Sequence, residues 1–258
     1  MKVVILCGGQ GTRLREETQL RPKPMVEVGG KPILWHIMKI YSHYGFREFV
    51  LCLGYKGEVI KEYFLNYEAM NNDFTVSLGP DRSVQYHRPQ GSERWRVTVV
   101  DTGVEATKGA RILGVRHYLD GDRFLLTYGD GVSDVDLGAL VDSHTKSGKL
   151  VTFTGVRPVS RFGVVDFDGQ DEVITWKEKT ALEGFINGGF FVMEPAIMKY
   201  LDPLVELEGE PMETLVQERK VNMYRHTGFW ACMDTYRDFL HLNDLWNRGR
   251  APWKVWRE

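Results

Sequence analysis

The sequence predicts an α/β fold built on an open, mainly parallel β-sheet with helices on both faces. The run Val3–Cys7 is continuously apolar and stops at Gly8-Gly9, as expected for a parallel strand buried on both faces. Apolar residues then recur at helical spacing over residues 32–45. A second largely apolar run, Glu48–Leu53, and a second helical pattern at 59–64 repeat this order. Strands that alternate with helices in this way favour parallel pairing.

The rest of the chain contains more strand-like runs than helical ones. Short strands are predicted at Phe74–Leu78, Val84–His87, Val97–Val100, Phe124–Thr127, Leu150–Val156 and Phe190–Met193, with a hairpin formed by Val164–Gly169 and Val173–Trp176. Helices are predicted at Ala110–Leu119, after a cap at Asp134, and at Tyr236–Trp246. Because there is no internal repeat and no linker-like stretch, we expect one Rossmann-like domain over residues 1–258, with a mixed sheet and a β-rich second half.

The composition is that of an ordinary folded protein. The 258 residues include 33 Lys and Arg against 35 Asp and Glu, a balance that argues against nucleic acid as a partner held by bulk electrostatics. No apolar run approaches the roughly 20 residues that cross a bilayer, so no membrane partner is expected. Cys7, Cys52 and Cys232 form no CxxC motif, and three cysteines cannot all pair. This cysteine usage favours a reducing compartment, the cytoplasm.

The most informative stretch is the loop Gly8-Gly9-Gln10-Gly11-Thr12-Arg13, directly after the first strand. Glycines let backbone N–H groups approach an anion closely, and Arg13 adds a planar guanidinium that suits phosphate oxygens. The loop follows the carboxyl end of a strand, where open α/β sheets bind ligands. Taken alone, the loop is equally compatible with a tight turn that carries a surface arginine.

Two common nucleotide-binding motifs are absent from the sequence. A Walker A loop requires GxxxxGK[ST], which the chain lacks. A dinucleotide fingerprint requires a third glycine where Leu14 stands, and an acidic residue after the second strand, where Gly54-Tyr55 stand. A P-loop phosphotransferase and an NAD enzyme are therefore disfavoured.

Three more polar residues accompany the glycine loop. Lys23 stands between two prolines that restrict the backbone on both sides, although an extended, solvated connector has the same pattern. Asp130 lies in the sequence YGDG, at the end of a predicted strand and at the sheet edge of the glycine loop. By itself Asp130 is compatible with a turn or a helix cap. Asp234 by itself is compatible with the N-cap of the last helix.

Taken together, these motifs resemble the signature of the sugar-1-phosphate nucleotidyltransferases, also called nucleoside-diphosphate-sugar pyrophosphorylases. The signature is a strand followed by GGQGTRL and then by RPKPMV. Within the family, the chain most resembles the glucose-1-phosphate cytidylyltransferases, over nearly its whole length. The segments that carry this resemblance are KPILWHIMKIY at 31–41, GYKGEVIKEYF at 54–64, VDTG at 100–103, TYGDGVSD at 127–134, INGGFFV at 186–192, GFW at 228–230, MDT at 233–235 and APWK at 251–254.

The resemblance implies a Mg²⁺-dependent reaction of CTP with α-D-glucose 1-phosphate that gives CDP-glucose and pyrophosphate. It implies that Asp130 and Asp234 bind Mg²⁺, an ion that favours one or two carboxylates with phosphate oxygens and waters. It assigns catalytic roles to Arg13, Lys23 and Asp130. The nucleotide-binding residues that it implies are Leu6, Cys7, Gly8, Gly9, Gln10, Gly11, Thr12, Arg13, Lys23, Arg111 and Gly129. The residues that it implies for the sugar phosphate are Tyr128, Gly163, Glu178, Lys179, Asn187 and Gly188.

The chain departs from the family pattern beside the implied sugar-phosphate site. Thr180 follows Glu178-Lys179 where proline is usual, which removes a restraint on the backbone of Lys179. Two alternatives stay open at this stage. One is a pyrophosphorylase that uses UTP, dTTP or another hexose 1-phosphate. The other is a regulatory module that binds nucleotides without catalysis.

The resemblance also implies a homo-oligomer, a hexamer. No additional C-terminal β-helix domain is expected, since the sequence ends soon after Asp234. Trp246, Trp253 and Trp256 stand near the end of the chain among charged residues. Aromatic residues of this kind are enriched at interfaces between subunits, but they also pack onto the core of their own chain. The sequence does not distinguish these two locations.

Overall fold

Helices and strands alternate along most of the chain in a computed structural model, which describes residues 1–87, 93–158, 163–177 and 184–257. In chain order the strands are β1 (Val3–Cys7), β2 (Glu27–Val28), β3 (Lys31–Pro32), β4 (Glu48–Leu53), β5 (Asp73–Ser77), β6 (Ser83–His87), β7 (Arg96–Asp101), β8 (Phe124–Tyr128), β9 (Gly131–Ser133), β10 (Val151–Val156), β11 (Val164–Phe167), β12 (Val173–Lys177), β13 (Ile186–Met193), β14 (Val221–His226) and β15 (Trp230–Cys232). The helices are α1 (Arg15–Thr18), α2 (Ile33–His43), α3 (Gly57–Leu65), α4 (Tyr67–Asn71), α5 (Lys108–Val115), α6 (Leu137–Ser147), α7 (Glu210–Gln217) and α8 (Tyr236–Asn247).

A seven-stranded sheet in the order β14-β10-β13-β8-β1-β4-β7 forms the centre of the molecule. The neighbours β8, β1, β4 and β7 are parallel to one another, and β10 is parallel to β14. Strand β13 runs antiparallel to β8 on one side and to β10 on the other. The sheet is therefore mixed but mainly parallel, as predicted.

Apolar side chains of β1 alternate between two cores, one on each face of the sheet. Val3, Ile5 and Cys7 pack into a core that includes buried residues of α2, α6 and α8. Val4 and Leu6 pack into a second core with buried residues of α5 and α7. This alternation explains the continuous apolar run, because a strand covered by helices on both faces has no solvent-facing position. The predicted α/β fold class is confirmed.

Two antiparallel hairpins, β5–β6 and β11–β12, lie outside the central sheet. The second is the hairpin predicted from the sequence. A third small pair joins β9 to β15 and lies beside the carboxyl ends of the parallel strands. Among the residues described, no helix combines the length and the apolar character needed to cross a membrane.

The cap of α6 differs from the prediction. Asp136, not Asp134, caps the helix, because its carboxylate accepts a hydrogen bond from the backbone N–H of Ala139 at 2.9 Å. The Asp134 carboxylate lies 3.0 Å from the ring nitrogen Nε2 of His226 instead. The predicted helix at 110–119 also differs, since α5 begins at Lys108 and ends at Val115, before a short 3₁₀ turn.

Helix α8 begins with a capping box that does not use Asp234. The side chain of Thr235 accepts from the backbone N–H of Asp238, and the Asp238 carboxylate accepts from the backbone N–H of Thr235. Asp234 is therefore not the N-cap of this helix. Its carboxylate points instead toward the polar cleft described below.

The C-terminal tryptophans pack onto their own chain. Trp253 and Trp256 are buried in the core that contains α2, and the half-buried Trp246 lies against the ring of His36 at 4.6 Å between centroids. They therefore give no support for an interface between subunits.

Candidate active site

The glycine loop lies where β1 ends, at the edge formed by the carboxyl ends of the parallel strands. Gly11 has φ of +63°, a left-handed conformation that glycine adopts without strain. A Cβ at this position would also meet the side chain of Thr18 at 2.9 Å. The Thr18 hydroxyl donates to the carbonyl of Gly11 at 3.1 Å, which closes the loop. The local sequence thus shapes a closed turn, of which Gly8 and Gly9 line the cleft.

Arg111 of α5 lies directly beneath this loop and is almost completely buried. Its guanidinium donates to the carbonyls of Leu53, Gly103 and Val104 at 2.8–3.0 Å, and to that of Gly8 at 3.3 Å. A Cβ on Gly8 would fall 2.1 Å from the guanidinium carbon, so glycine is required there. Burial lowers the pKa of Arg111. Arg111 joins two loops that border the cleft, and its predicted contact with a nucleotide stays a prediction.

The β9–β15 pair brings two carboxylates together from distant parts of the sequence. Asp130 directly precedes β9, and Asp234 follows the last residue of β15 by one intervening position. In this pair Gly131 lies opposite Cys232, and the backbone N–H of Met233 donates to the carbonyl of Asp130 at 2.9 Å. Both aspartates are consequently held at the same edge of the sheet as the glycine loop.

Lys23 lies between these two carboxylates. Its ammonium group donates to Oδ2 of Asp130 at 2.6 Å and to Oδ1 of Asp234 at 2.5 Å, and its side chain is only 12% exposed. Burial alone lowers the pKa of Lys23, but the charge of Asp130 and the two hydrogen bonds outweigh it and raise that pKa above its usual value. Arg13 donates to the other oxygen of Asp234 at 2.6 Å. Two cations thus face two carboxylates.

The carboxylates of Asp130 and Asp234 and the thiol of Cys232 have ligand atoms within 4.8 Å of one another. Burial, followed by the charge of Asp130, raises the pKa of Cys232, so the sulfur carries its proton. A protonated thiol is a poor ligand for a hard cation, whereas two carboxylates suit a divalent ion that also takes phosphate oxygens. The pair of aspartates therefore fits the predicted metal site.

The cleft that contains this cluster has a volume of about 610 Å³, which is large enough for a small ligand. Predicted site residues that line it are Leu6, Cys7, Gly8, Gly9, Arg13, Lys23, Arg111, Tyr128, Gly129, Asp130, Asn187 and Asp234. Gln10, Gly11, Thr12, Gly163 and Gly188 do not line it, so their predicted contacts stay predictions. Glu178 and Lys179 lie outside the described residues.

Tyr128 and Asn187 meet at the other end of the cleft, on the neighbouring strands β8 and β13. The side-chain amide of Asn187 donates to the Tyr128 hydroxyl at 3.0 Å. Gly188 supplies a backbone carbonyl that accepts from the indole N–H of Trp230 at 2.8 Å. The sheet thus brings together three of the residues predicted for the sugar phosphate, and Trp230 anchors them to β15.

Lys108 and Glu208 were missed by the sequence analysis although both line the cleft. The Tyr128 hydroxyl donates to the Glu208 carboxylate at 2.6 Å, and the Lys108 ammonium lies 2.9 Å from the same carboxylate. Burial and the Glu208 charge raise the pKa of Tyr128. No local signal marks Glu208, since it stands in an acidic loop before α7 that has the composition of an ordinary surface turn.

Comparison with known proteins shows the family of the chain. The family model for nucleotidyl transferases matches residues 2–247. The chain belongs to the nucleotidyl transferase family. A protein of Salmonella typhi named glucose-1-phosphate cytidylyltransferase is 48% identical, covering 99% of this chain and 100% of the relative. One from Bacillus subtilis, named probable glucose-1-phosphate cytidylyltransferase, is 46% identical with the same coverage. The resemblance predicted from the sequence is therefore confirmed.

The fold of the nucleotidyl transferase chain also matches solved structures. The crystal structure of HddC from Yersinia pseudotuberculosis superimposes with a TM-score of 0.68, covering 95% of this chain and 99% of that chain. The two sequences are 20% identical, so this similarity concerns the fold alone.

Proposed function

We propose that the protein transfers a cytidylyl group from CTP to α-D-glucose 1-phosphate, giving CDP-glucose and pyrophosphate. The observation that carries this proposal is the convergence of Arg13, Lys23, Asp130 and Asp234 beside the glycine loop. The relatives with 46–48% identity over their full length carry names with the same substrate and base. A non-catalytic module would have no need to retain all four charged groups.

The reaction requires little covalent chemistry from the protein. A phosphate oxygen of glucose 1-phosphate forms a bond to the α-phosphorus of CTP, and the bond from that phosphorus to the bridging oxygen breaks. Pyrophosphate leaves with that oxygen. The nucleophile is already an anion, so no general base is needed. Positioning the two substrates and offsetting the repulsion between their phosphates are the tasks of the site.

Lys23 and Arg13 supply positive charge for these tasks. Before substrate arrives, both cations are held by Asp130 and Asp234. Phosphate oxygens offer alternative acceptors for the same N–H donors, and the backbone N–H groups of the glycine loop add further donors. We assign Arg13 and the loop to the β- and γ-phosphates, and Lys23 to the α-phosphate and the leaving pyrophosphate.

We propose Mg²⁺ as the ion that Asp130 and Asp234 hold. When bound, it would supply positive charge that offsets the negative charge of the substrate phosphates. The protein contributes the two carboxylates, which the β9–β15 pair keeps in place.

The sugar end of the cleft is assigned to Tyr128, Asn187 and Glu208, whose polar groups form one hydrogen-bonded chain. We propose that Glu178 and Lys179, which lie outside the described residues, also contact the sugar phosphate.

The free thiols of the chain suit the cytoplasm. We also propose a homo-oligomer, a hexamer by resemblance, which light scattering at working concentration tests; a monomeric mass contradicts it.

A panel of nucleoside triphosphates with glucose 1-phosphate and Mg²⁺ tests the function through pyrophosphate release. We expect CTP to have the largest kcat/KM, because a site that pairs with the cytosine amino group leaves a buried acceptor unpaired against uracil. Asp130→Asn is the matched inactive control. A larger kcat/KM with UTP or dTTP overturns the base assignment but leaves the family intact, whereas no release with any triphosphate overturns the proposed function.

A further inference from the structure

A second polar cleft, of about 430 Å³, lies far from the candidate active site. Arg47 directly precedes β4, and Trp95 directly precedes β7, and both residues line this cleft. Since β1, β4 and β7 are parallel, the cleft lies at the amino ends of the strands. The glycine loop follows the carboxyl end of β1. The two clefts are therefore at opposite edges of the central sheet.

The walls of the second cleft carry an excess of positive charge. Arg47, Arg94 and Arg257 line it, and none of the three forms an ion pair with another residue in the described parts of the chain. Among the described residues, the one acidic side chain that lines the cleft is Glu93, which is already paired with Lys39 at 3.0 Å. Guanidinium groups that line the same cleft repel one another, and an anion bound between them relieves that repulsion.

Two tryptophans that line the cleft, Trp95 and Trp256, are held by contacts with neighbouring residues. The indole N–H of Trp95 donates to the hydroxyl of Ser42 at 2.5 Å, and its ring packs edge-on against Phe49 at 5.8 Å. Trp256 is buried, and the Lys39 ammonium lies 5.8 Å from its ring centroid. These contacts hold the two tryptophans in place, while Arg47, Arg94 and Arg257 are exposed.

We propose that this cleft is a second anion site, for a ligand that carries phosphate groups. Arginine is the side chain best suited to bidentate contact with phosphate oxygens. The volume lies within the range of small-molecule sites and admits more than a single inorganic phosphate. The half-buried ring of Trp95 offers a surface on which a planar base stacks. Two sources of the phosphate chemistry fit, an inorganic polyphosphate and a nucleotide, and they differ in their dependence on Trp95.

Calorimetric titration of the intact protein with pyrophosphate and, separately, with CMP tests the proposal. The test variant is Arg47→Glu with Arg94→Glu, and the matched control is Arg82→Glu with Arg116→Glu, which changes the charge equally at exposed arginines outside the cleft. We expect two sites per chain in the wild type and the control. In the test variant we expect the second site to bind about tenfold more weakly or not at all.

The remaining outcomes are equally specific. Weaker CMP binding by Trp95→Phe than by the wild type identifies a nucleotide as the ligand, whereas equal CMP binding by these two proteins identifies a polyphosphate. Normal pyrophosphate release at saturating substrates shows that the test variant is folded. If the test variant does not fold, Arg257→Gln is the milder substitution used in its place. One site per chain in the wild type, or the same stoichiometry and affinity in wild type and test variant, overturns the proposal. This result is independent of the proposed function, which concerns the other cleft.

Discussion

His36, on α2, is a buried ionisable residue whose protonation state is set by its burial and by its hydrogen-bond partners. Its ring is completely inaccessible to solvent. Nε2 lies 2.8 Å from the carbonyl of Val28, and the indole N–H of Trp253 points at Nδ1 at 3.3 Å. The ring therefore donates through Nε2 and accepts through Nδ1, which is the neutral form. Adding a proton to Nδ1 would set two N–H groups against each other. Burial lowers the pKa of His36 from 6.5 to about 4.

This lowered pKa makes the free energy of unfolding depend on pH. In the unfolded chain the imidazole titrates at its ordinary pKa of 6.5, so between pH 6.5 and pH 4 the unfolded state binds a proton that the folded state does not. The stabilisation is complete above pH 6.5 and is lost as the pH falls through this window. At roughly 1.4 kcal/mol for each pH unit, the loss is about 2 kcal/mol at pH 5.

Urea unfolding at pH 7.5 and pH 5 measures this effect in the wild type and in His36→Gln. The glutamine amide can donate to the Val28 carbonyl but does not titrate, so the variant loses less stability on acidification, by about 2 kcal/mol. Other ionisable groups are the same in both proteins and cancel in the difference. The exposed His241→Gln is the control and should follow the wild type. Equal losses in wild type and His36→Gln would refute the argument.

The remaining predictions concern catalysis. Asp130→Asn and Asp234→Asn each lower kcat about 10²–10³-fold in Mg²⁺, because an amide is a poor ligand for this ion, and pyrophosphate release with circular dichroism as a folding check measures the loss; near-normal turnover of both variants contradicts a two-carboxylate site. Glu208→Gln weakens a charged hydrogen bond at the sugar end and raises KM for glucose 1-phosphate about tenfold, and an equal rise in KM for CTP speaks against this placement. Lys179→Ala raises KM for the sugar phosphate strongly while Thr180→Pro has little effect; unchanged kinetics of Lys179→Ala leave the sugar pocket unassigned.

The parts of the site that depend on neighbouring residues along the chain were predictable. The apolar run of β1 and the glycines after it specify a buried strand followed by an open turn, because strand burial and left-handed backbone are properties of short segments. Lys23 was recognised for the same reason, since the prolines on either side restrict its backbone. The resemblance to the nucleotidyl transferases also depends on such contiguous motifs. From these features the sequence alone predicts the fold class and one end of the cleft.

The parts that depend on contacts between distant segments were decided only by the tertiary structure. Asp134 and Asp234 each precede a helix, and local chemistry favours either as a cap. The neighbouring Asp136 and Thr235 take those positions instead, while the pairing of β9 with β15 brings Asp234 to Lys23.

Glu208 illustrates the same limit. It lies in the segment between β13 and α7, and it meets Tyr128 of β8, the strand that the sheet places beside β13. Hydrogen bonds across the sheet carry no local sequence pattern, so neither its contact with Tyr128 nor that with Lys108 was predictable from the chain. Local preference determined which segments form strands, helices and turns, and long-range packing determined which polar side chains face the same cleft.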